Sequence, residues 1–419
     1  MNSYVGVSRP CTAMCLLLAA VIALPVTATA GISARSLALG GSVVADARGT
    51  DAVAWNPAGV YMRGARPQLD LFAVSTQIQN NSFSIGDYNR YTGAYLDDTD
   101  KDYILDRIPA DGLRLDAYAS AHAVSFWASP VAVTFGSDAV AEGRLSRDAA
   151  ELLLFGNASF DSVDLAGTGG ATQVTAGVSF TYARPVTTVA GGTLSAGITA
   201  RYLKGLYVQE VVESEGRIVT KTTGIDGDAR LVARTANDGT GLAADLGLLF
   251  DYGNGWQFGA SVVNLLGRVH WQGSPEAHEF TFTVDSLSIL NAEDDDVIQS
   301  QDRTYAIESF STRLPATLRL GAAHTTGSMT WLAQWEQGLN RVAGAYTSPR
   351  VSGGLEWWVG RQIPLRGGLS LGAGNVSASV GTGVHTGLLF VDIGFGLASG
   401  PTWNTARGFE LAVNTGFRF

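Results

Sequence analysis

Several side chains in this sequence are of types that could carry chemistry, beginning with a serine flanked by glycines. Residues Gly368 to Gly372 match G-x-S-x-G, but they lie inside an alternating apolar run. A nucleophile elbow needs a strand-to-helix turn, so we predict no enzyme. An esterase that joins Ser, His and a carboxylate across strands is a distant alternative, for which His122 and His385 are candidates. The histidines lack HExxH spacing, which argues against zinc: His122, His270, His278, His324 and His385.

Two acidic runs contain carboxylates that could bind calcium. Residues 97–102 read DDTDKD and residues 293–296 read EDDD. In the first run Asp98, Asp100 and Asp102 alternate, but Tyr103 stands where an EF-hand loop has glycine and Pro109 where it has the closing glutamate. We expect solvated loop charges, predict no cofactor and no metal site, and leave calcium binding open.

The first thirty residues predict a secretory signal peptide. An apolar run from Met14 to Val26 precedes Ala28-Thr29-Ala30, an A-x-A site, so the mature chain is predicted to begin at Gly31. The run is short for a bilayer span, and a retained anchor helix is the alternative. Both cysteines, Cys11 and Cys15, lie in this segment, which excludes disulfides and thiolate chemistry from the mature chain.

The composition restricts the class of protein. The chain has 419 residues, a net charge of -10, 16% charged residues and 51 glycines. Abundant glycine opposes a helix-dominated fold, and the low charge fraction excludes disorder. An acidic balance without a basic stripe argues against a nucleic-acid partner. No segment after the signal has the eighteen or so consecutive apolar residues of a membrane helix, which excludes a helical membrane protein.

Alternation of period two predicts the fold class: all-β, a transmembrane antiparallel β-barrel of about fourteen strands. From Leu242 to Tyr252 one face is apolar and the other carries glycine and isolated acids such as Asp245. A soluble sandwich would expose Lys and Glu on its polar face, so this pattern suits a lumen. The predicted strands are approximately residues 67–79, 114–127, 130–142, 172–184, 193–204, 241–252, 255–264, 313–325, 328–336, 350–360, 364–373, 376–385, 387–398 and 408–419.

The connections between these strands alternate in length. Short turns fall at one end of the barrel, and long extracellular loops are predicted at the other. Aromatic residues near strand ends, such as Trp127 and Trp331, suit interfacial girdles, and the core of a soluble β-protein is the alternative. The long loops are predicted at residues 80–113, 143–171, 205–240, 265–312 and 337–349.

Charged residues on the predicted lumen face have mixed signs. A general ion pore would favour one sign, so the mixture predicts internal ion pairs that hold an inserted segment. The candidate lumen residues are Arg114, Asp116, Arg201, Asp245, Arg319 and Asp392, together with Asp251, Glu336, Glu356, Arg366, Glu410 and Arg418.

Residues 31–65 separate the signal from the barrel at 66–419. The segment is too short for a domain and too apolar for a free tail, because its apolar side chains need burial. A barrel of this size has an interior to fill, so we predict a plug. Asn56–Pro57–Ala58 predicts a fixed turn, and Gly40–Gly41 permits close approach to the barrel wall.

The run Ala34 to Gly41, the Asn56–Pro57–Ala58 turn, the segment Leu314 to Gly321 and the terminal Phe419 resemble the FadL-like outer-membrane transport proteins of Gram-negative cells, including PorV-like members. The resemblance implies that residues 31–65 plug the barrel as a hatch. It also implies that outer-membrane assembly machinery recognises the last strand through Phe417 and Phe419.

The same resemblance implies a channel in the outer-membrane lipid that admits hydrophobic small molecules, with fatty acids or aromatic hydrocarbons as ligands. The alternative is a PorV-like scaffold that binds a secreted or surface protein. A static plug without a transport role also remains open, since a fold does not fix a function.

Overall fold

The computed structural model describes residues 33–156, 162–287, 297–342, 348–372 and 374–419. The predicted signal peptide, the Gly31 start and the acidic run 293–296 lie outside these residues. In the described part no helix is long and apolar enough to cross a membrane. The helices there are α1 Ala34–Ala38, α2 Asp51–Trp55, α3 Ile85–Tyr91, α4 Asp98–Arg107 and α5 Arg147–Phe155, with a 3-10 turn at Pro57–Val60.

The chain is mostly β. Its described strands are β1 Gln68–Asn80, β2 Leu113–Ala128, β3 Val131–Leu145, β4 Ser162–Asp164, β5 Gly169–Val189, β6 Gly192–Lys221, β7 Gly224–Gly253, β8 Trp256–Leu287, β9 Ile298–Ala306, β10 Phe310–Arg313, β11 Thr317–Thr326, β12 Met329–Gly338, β13 Arg350–Val359, β14 Ile363–Gly372, β15 Asn375–His385, β16 Leu389–Ala398 and β17 Gly408–Arg418.

Fourteen of these strands form a closed antiparallel ring, because β1 pairs with both β2 and β17. The short strands β4, β9 and β10 pair beside the ring, on β6 and β8. The prediction of an antiparallel barrel of about fourteen strands is therefore confirmed.

Apolar side chains point out of the ring and polar ones point in. On β7, Leu246 and Leu248 are 45% and 48% exposed, whereas Asp245, which directly precedes Leu246, is fully buried. A strand alternates its side chains between two faces, so the sequence period sets this division. A soluble protein has the opposite arrangement, and this one suits an outer surface against lipid.

The two ends of the ring differ in their connections. At one end, called the short-turn end, strands are joined by turns such as residues 129–130, 190–191 and 254–255. Asn254 and Gly255 have φ of +51° and +83°, the left-handed geometry of a tight hairpin. The opposite end, called the long-connection end, carries most of the longer connections.

Several segments predicted as loops at the long-connection end are regular structure. Within residues 205–240, β6 continues to Lys221 and β7 begins at Gly224, so the strands extend beyond the ring as a hairpin. Residues 80–113 contain α3 and α4. Charges such as Glu215 and Arg217 interrupt the apolar stripe, but pairing uses only backbone N–H and C=O groups and therefore continues.

Residues 33–65, called the N-terminal segment, lie inside the ring. Helix α1 contacts β14 to β17, whereas the 3-10 turn contacts β5 to β7 on another arc. Leu39, Val43 and Val44 are fully buried. A segment that meets separate arcs of a closed ring and is buried between them occupies its interior.

Candidate functional site

The Asn56–Pro57–Ala58 turn packs directly on the inner wall. Asn56 is fully buried, and its Nδ2 donates to the carbonyls of Val44 (2.8 Å) and Leu248 (3.0 Å). Its Oδ1 accepts from the Ala58 N–H (3.1 Å). A Cβ at Gly197 would lie 2.3 Å from the Pro57 carbonyl carbon, and one at Gly247 would lie 2.1 Å from Asn56 Oδ1. Glycine at these two paired wall positions lets the turn touch the barrel backbone.

The Gly40–Gly41 pair makes a second close contact with the wall. Both residues have positive φ, +64° and +76°, which favours glycine. The Gly40 N–H donates to Ser379 Oγ (3.1 Å), and its carbonyl accepts from Arg350 Nη2 (2.9 Å). A Cβ at Gly368 would lie 2.2 Å from the Gly40 nitrogen. The N–H and the carbonyl of Gly40 are thus both hydrogen-bonded to the barrel wall.

A buried charge network connects the N-terminal segment to the barrel strands. Arg35 contacts Asp46 (2.5 Å) and Glu356 (3.0 Å). Arg366 contacts Glu356 (2.8 Å) and Asp392 (2.6 Å), and the side chains of Glu356 and Arg366 are each 1% exposed. Burial alone would lower the pKa of Arg35, but Glu356 and Asp46 outweigh it and raise that pKa. Arg35 therefore remains charged inside the ring.

The network continues through a histidine at the short-turn end. His385 Nε2 lies 3.0 Å from each carboxylate oxygen of Asp392, and Arg418 Nη1 lies 3.0 Å from His385 Nδ1. A guanidinium only donates, so Nδ1 accepts and Nε2 carries the hydrogen of a neutral ring. Arg418 also donates to Gln68 Oε1 (3.2 Å) and lies 4.7 Å from the Phe390 ring centroid.

A separate ion pair supports helix α2. Arg319 Nε contacts Glu336 (2.6 Å), and its Nη1 donates to the Ala54 carbonyl (3.0 Å). The guanidinium also lies 4.2 Å from the Trp55 ring centroid. One wall arginine thus binds the helix through a hydrogen bond and a cation–π contact.

Another ion pair joins β6 to β7. Arg201 pairs with Asp245, which is fully buried, and donates to Asn264 Oδ1 (3.1 Å). Asp245 in turn accepts from the Asn264 N–H (2.7 Å). The charges of this pair are therefore compensated within the barrel wall.

The other residues singled out in the sequence lie at separate places. Arg114 and Asp116 pair at 3.2 Å toward the long-connection end. Phe417 lies on β17, and Phe419 is 59% exposed and donates its N–H to the Pro67 carbonyl (3.0 Å). Gly368–Gly372 lies within β14, so Ser370 has no elbow geometry.

The first acidic run forms the start of helix α4. The Asp97 side chain caps the helix by accepting from the Asp100 N–H (2.9 Å), and Asp98 lies 3.6 Å from Lys101. Among the described residues, no group of three His, Cys, Asp or Glu side chains has the geometry to hold a metal ion.

Cavities flank the N-terminal segment inside the ring. One of about 330 Å³ lies at the short-turn end, between the segment and residues such as Trp127, Trp358 and Arg418. One of about 60 Å³ lies toward the long-connection end and is lined by Leu37, Trp55 and other residues. The segment therefore divides the lumen.

Sequence reasoning missed most of the residues that bind the N-terminal segment. It gave Arg35 and Asp46 no role, and it interpreted inward glycines only as a lumen face. Glycines that recur at inward positions of several strands were the available signal, because each removes a Cβ that would collide with the segment: Gly197, Gly247, Gly259, Gly321, Gly354, Gly368, Gly381 and Gly394.

A sequence model described as "Family of unknown function (DUF5723)" matches residues 67–238 and 221–394. The chain belongs to this family. No curated protein compared with the chain matches it.

Solved structures give a fold-level comparison. The Ralstonia pickettii toluene transporter TbuX is 16% identical, with 93% of this chain and 98% of that chain covered and a TM-score of 0.50. A TodX deltaS2S3 mutant monoaromatic hydrocarbon channel is 12% identical, with 93% and 98% covered and a TM-score of 0.51, and TodX is a toluene transporter of Pseudomonas putida. A Pseudomonas aeruginosa FadL homologue is 10% identical, with 92% and 98% covered and a TM-score of 0.49.

At these identities the likeness shows the fold alone. The chain has the fold of the FadL-family outer-membrane channels, a ring of fourteen antiparallel strands with an N-terminal helical segment. The resemblance found in the sequence is thereby confirmed at the level of fold.

Proposed function

We propose that this protein is an outer-membrane channel that admits hydrophobic small molecules, fatty acids or aromatic hydrocarbons, past an internal plug formed by residues 31–65. The observation that carries the proposal is the seating of the N-terminal segment across the lumen, with cavities on both sides. The chain carries no catalytic role in this proposal. Passage is downhill and needs no cofactor.

Two further observations support the proposal. The structures that share the fold include the toluene transporter TbuX and a TodX monoaromatic hydrocarbon channel. The cavity toward the long-connection end combines apolar side chains, Leu37, Trp55 and Leu397, with polar ones such as Ser379 and Glu410. Ligand sites commonly combine an apolar lining with a few polar groups that orient the ligand. At about 60 Å³ this cavity is smaller than the proposed ligands, so it would have to widen as the plug moves.

The plug would have to move for a molecule to pass. Its seat consists of close backbone contacts at wall glycines and of buried ion pairs, and such packed interfaces shift between discrete arrangements. We expect loss of the seat to change the rate of uptake rather than to unfold the barrel, since strand pairing does not involve this segment.

The test replaces Asn56 and Pro57 together by Ala. The turn then loses its φ restriction and its side-chain hydrogen bonds. We expect altered uptake of a fatty acid or aromatic hydrocarbon in cells: reduced if the segment is part of the binding path, increased if it only obstructs. A variant lacking residues 32–60 is assayed in parallel, at matched outer-membrane abundance.

A matched control replaces Pro401 and Asn404 by Ala, since both are exposed in the connection from β16 to β17. This control should show wild-type uptake. Unchanged uptake in the double variant, the deletion and a strain without the protein would contradict the transport proposal.

A second candidate function is a PorV-like scaffold that binds a secreted or surface protein. The feature that favours it is the sheet formed where β6, β7 and β8 extend beyond the ring with β9 along them. Failed secretion of a surface protein in the strain without the protein, with normal uptake, would favour this role.

A further inference from the structure

The cavity of about 330 Å³ at the short-turn end is lined by many charged side chains. Five of its lining residues are arginines: Arg35, Arg48, Arg66, Arg366 and Arg418. Only three lining residues are acidic: Asp51, Glu356 and Asp392. The lining therefore has an excess of positive charge.

Three of the arginines are compensated. Arg35 and Arg48 contact Asp46, and Arg366 contacts Glu356 and Asp392. Since their charges are shared with buried carboxylates, these arginines have a structural role that does not require a further anion.

The other two arginines differ. In the described part of the chain, neither Arg66 nor Arg418 has a carboxylate oxygen within ion-pair distance. Arg418 is half-buried and is held by neutral groups, the Gln68 amide and the His385 ring. Asp392, Asp70 and Asp51 act on Arg418 only from beyond that distance. Burial raises the pKa of Asp51, which weakens it as a counter-charge. A half-buried guanidinium without an anion is costly unless a ligand supplies one.

Aromatic rings form much of the remaining wall. Phe390 is 1% exposed and lies under the Arg418 guanidinium, and Trp358 meets the His385 ring edge-on at 5.0 Å. Trp127 also lines the cavity, with its Nε1 donating to the Val60 carbonyl (2.9 Å). Flat apolar surfaces beside a planar cation favour a ligand with a flat apolar body and one negative charge.

We propose that this cavity binds a small aromatic monocarboxylate, with the carboxylate on Arg418 and Arg66 and the ring against Trp358, while Phe390 supports the Arg418 guanidinium from below. A guanidinium matches a carboxylate with two parallel hydrogen bonds, a geometry that an ammonium lacks. The size suits such a ligand, since a cavity of about 150 Å³ already holds benzene. Binding here does not depend on passage through the barrel.

The experiment measures binding of sodium benzoate to the purified full chain in detergent micelles by titration calorimetry. Benzamide, which has the same ring without the charge, and inorganic phosphate, which has charge without a ring, are the comparison probes. We expect benzoate to bind at least tenfold more tightly than either. Equal affinity for benzamide, or for phosphate, would overturn the proposal.

Variants assign the contacts. We expect Arg418→Gln and Arg66→Gln each to weaken benzoate binding at least fivefold, and Trp358→Leu to weaken the binding of benzoate and of benzamide together. Arg361→Gln is the matched control, because Arg361 is exposed in a turn at the same end and does not line the cavity. It should bind benzoate as the wild type does.

Folding of each variant is checked by heat-modifiable migration on gels. If Arg418→Gln does not fold, the benzoate affinity of Arg66→Gln tests the proposal instead. Arg66 is exposed, and its replacement removes no internal contact described in the structure. Wild-type benzoate affinity in Arg66→Gln, or in a folded Arg418→Gln, contradicts the site. Uptake of hydrocarbons is measured separately, so the failure of either proposal leaves the other identifiable.

Discussion

Single glycines on the inner wall decide how closely the N-terminal segment can approach. At Gly247 a Cβ would fall 2.1 Å from Asn56 Oδ1, and at Gly259 it would fall 2.3 Å from the Val44 carbonyl oxygen. Neither residue needs glycine for a positive φ, since both lie in strands. Their value is the absence of a side chain, because a rigid backbone on each side leaves no room for one.

We expect Gly247→Leu to displace the Asn56–Pro57–Ala58 turn while the ring stays closed. Overpacking of this kind costs about 1–3 kcal/mol, enough to unseat a short segment but not to open a barrel. Limited proteolysis should cleave residues 33–60 faster in this variant, and planar-bilayer recordings should show a larger conductance.

The control for this prediction is Gly367→Leu, because a Cβ at Gly367 meets no atom within 4 Å. The two substitutions add the same side chain, so only the position differs. Equal protease sensitivity of both variants would show that the wall glycines do not seat the segment.

At the scale of elements, the buried charge network joins α1 to strands β13, β14, β15, β16 and β17. Glu356 on β13 lies between Arg35 of the segment and Arg366 of β14. Arg35, Asp46, Glu356, Arg366 and Asp392 each have an oppositely charged partner, whereas Arg418 is held by the Gln68 amide and the His385 ring. Removal of Glu356 leaves each of the two arginines with one carboxylate instead of two, and a buried charge that loses a partner is destabilised.

We expect Glu356→Gln to loosen the N-terminal segment, since it leaves Arg35 with Asp46 alone and Arg366 with Asp392 alone. Loss of the sole partner of a buried charge costs about 3–5 kcal/mol, and we expect a smaller cost here because each arginine keeps one carboxylate. The measurement is the urea concentration at which the purified protein unfolds in detergent, together with proteolysis of residues 33–60. Arg35→Gln combined with Glu356→Gln should cost less than the sum of the single changes, because the two residues are in contact.

Glu142→Gln serves as the matched control. Glu142 pairs with Arg144 at 2.9 Å, and the Arg144 side chain is 47% exposed. Exposed pairs contribute about 0–1 kcal/mol, so this change should leave unfolding nearly unaltered. If Glu142→Gln and Glu356→Gln lowered the urea concentration of unfolding by similar amounts, the buried network would have no special role in stability.

At the scale of the whole molecule, closure of the ring removes every strand edge from its circumference. The outer surface is apolar along the strands, with residues such as Leu369 and Val380 at 58% and 60% exposure. A closed sheet satisfies its backbone hydrogen bonds internally, which a bilayer requires. This combination favours a detergent-resistant membrane barrel over a soluble protein.

We expect the protein to fractionate with the outer membrane and to migrate faster on gels when it is not heated, because a closed barrel resists detergent at room temperature. Deletion of residues 408–419 should abolish insertion, since β17 is the strand that joins β16 to β1. Phe419→Ala should reduce surface levels if the terminal aromatic residue is recognised during assembly. Recovery of the wild-type protein as a soluble monomer without detergent would contradict the fold-level interpretation.

The sequence by itself determined the repeating parts of this protein. Period-two alternation located all fourteen ring strands, because a strand in a barrel wall has one apolar and one polar face along its whole length. Tight turns such as Asn254–Gly255 were visible for a similar reason, since their φ requirements depend on neighbouring residues alone. Patterns of this kind are local and can be read without knowledge of the fold.

The contacts between the N-terminal segment and the barrel wall could be found only from the tertiary structure. Arg35 and Glu356 are 321 residues apart in sequence, and their contact depends on ring closure and on the register of several strands together. The same register brings Gly197 and Gly247 opposite each other under Asn56, and it brings Arg418 beside His385 over Phe390. The strands beyond the ring were hidden as well, because backbone pairing continues there after the apolar stripe has ended. Contacts between distant residues leave no local period, so only the folded chain reveals them.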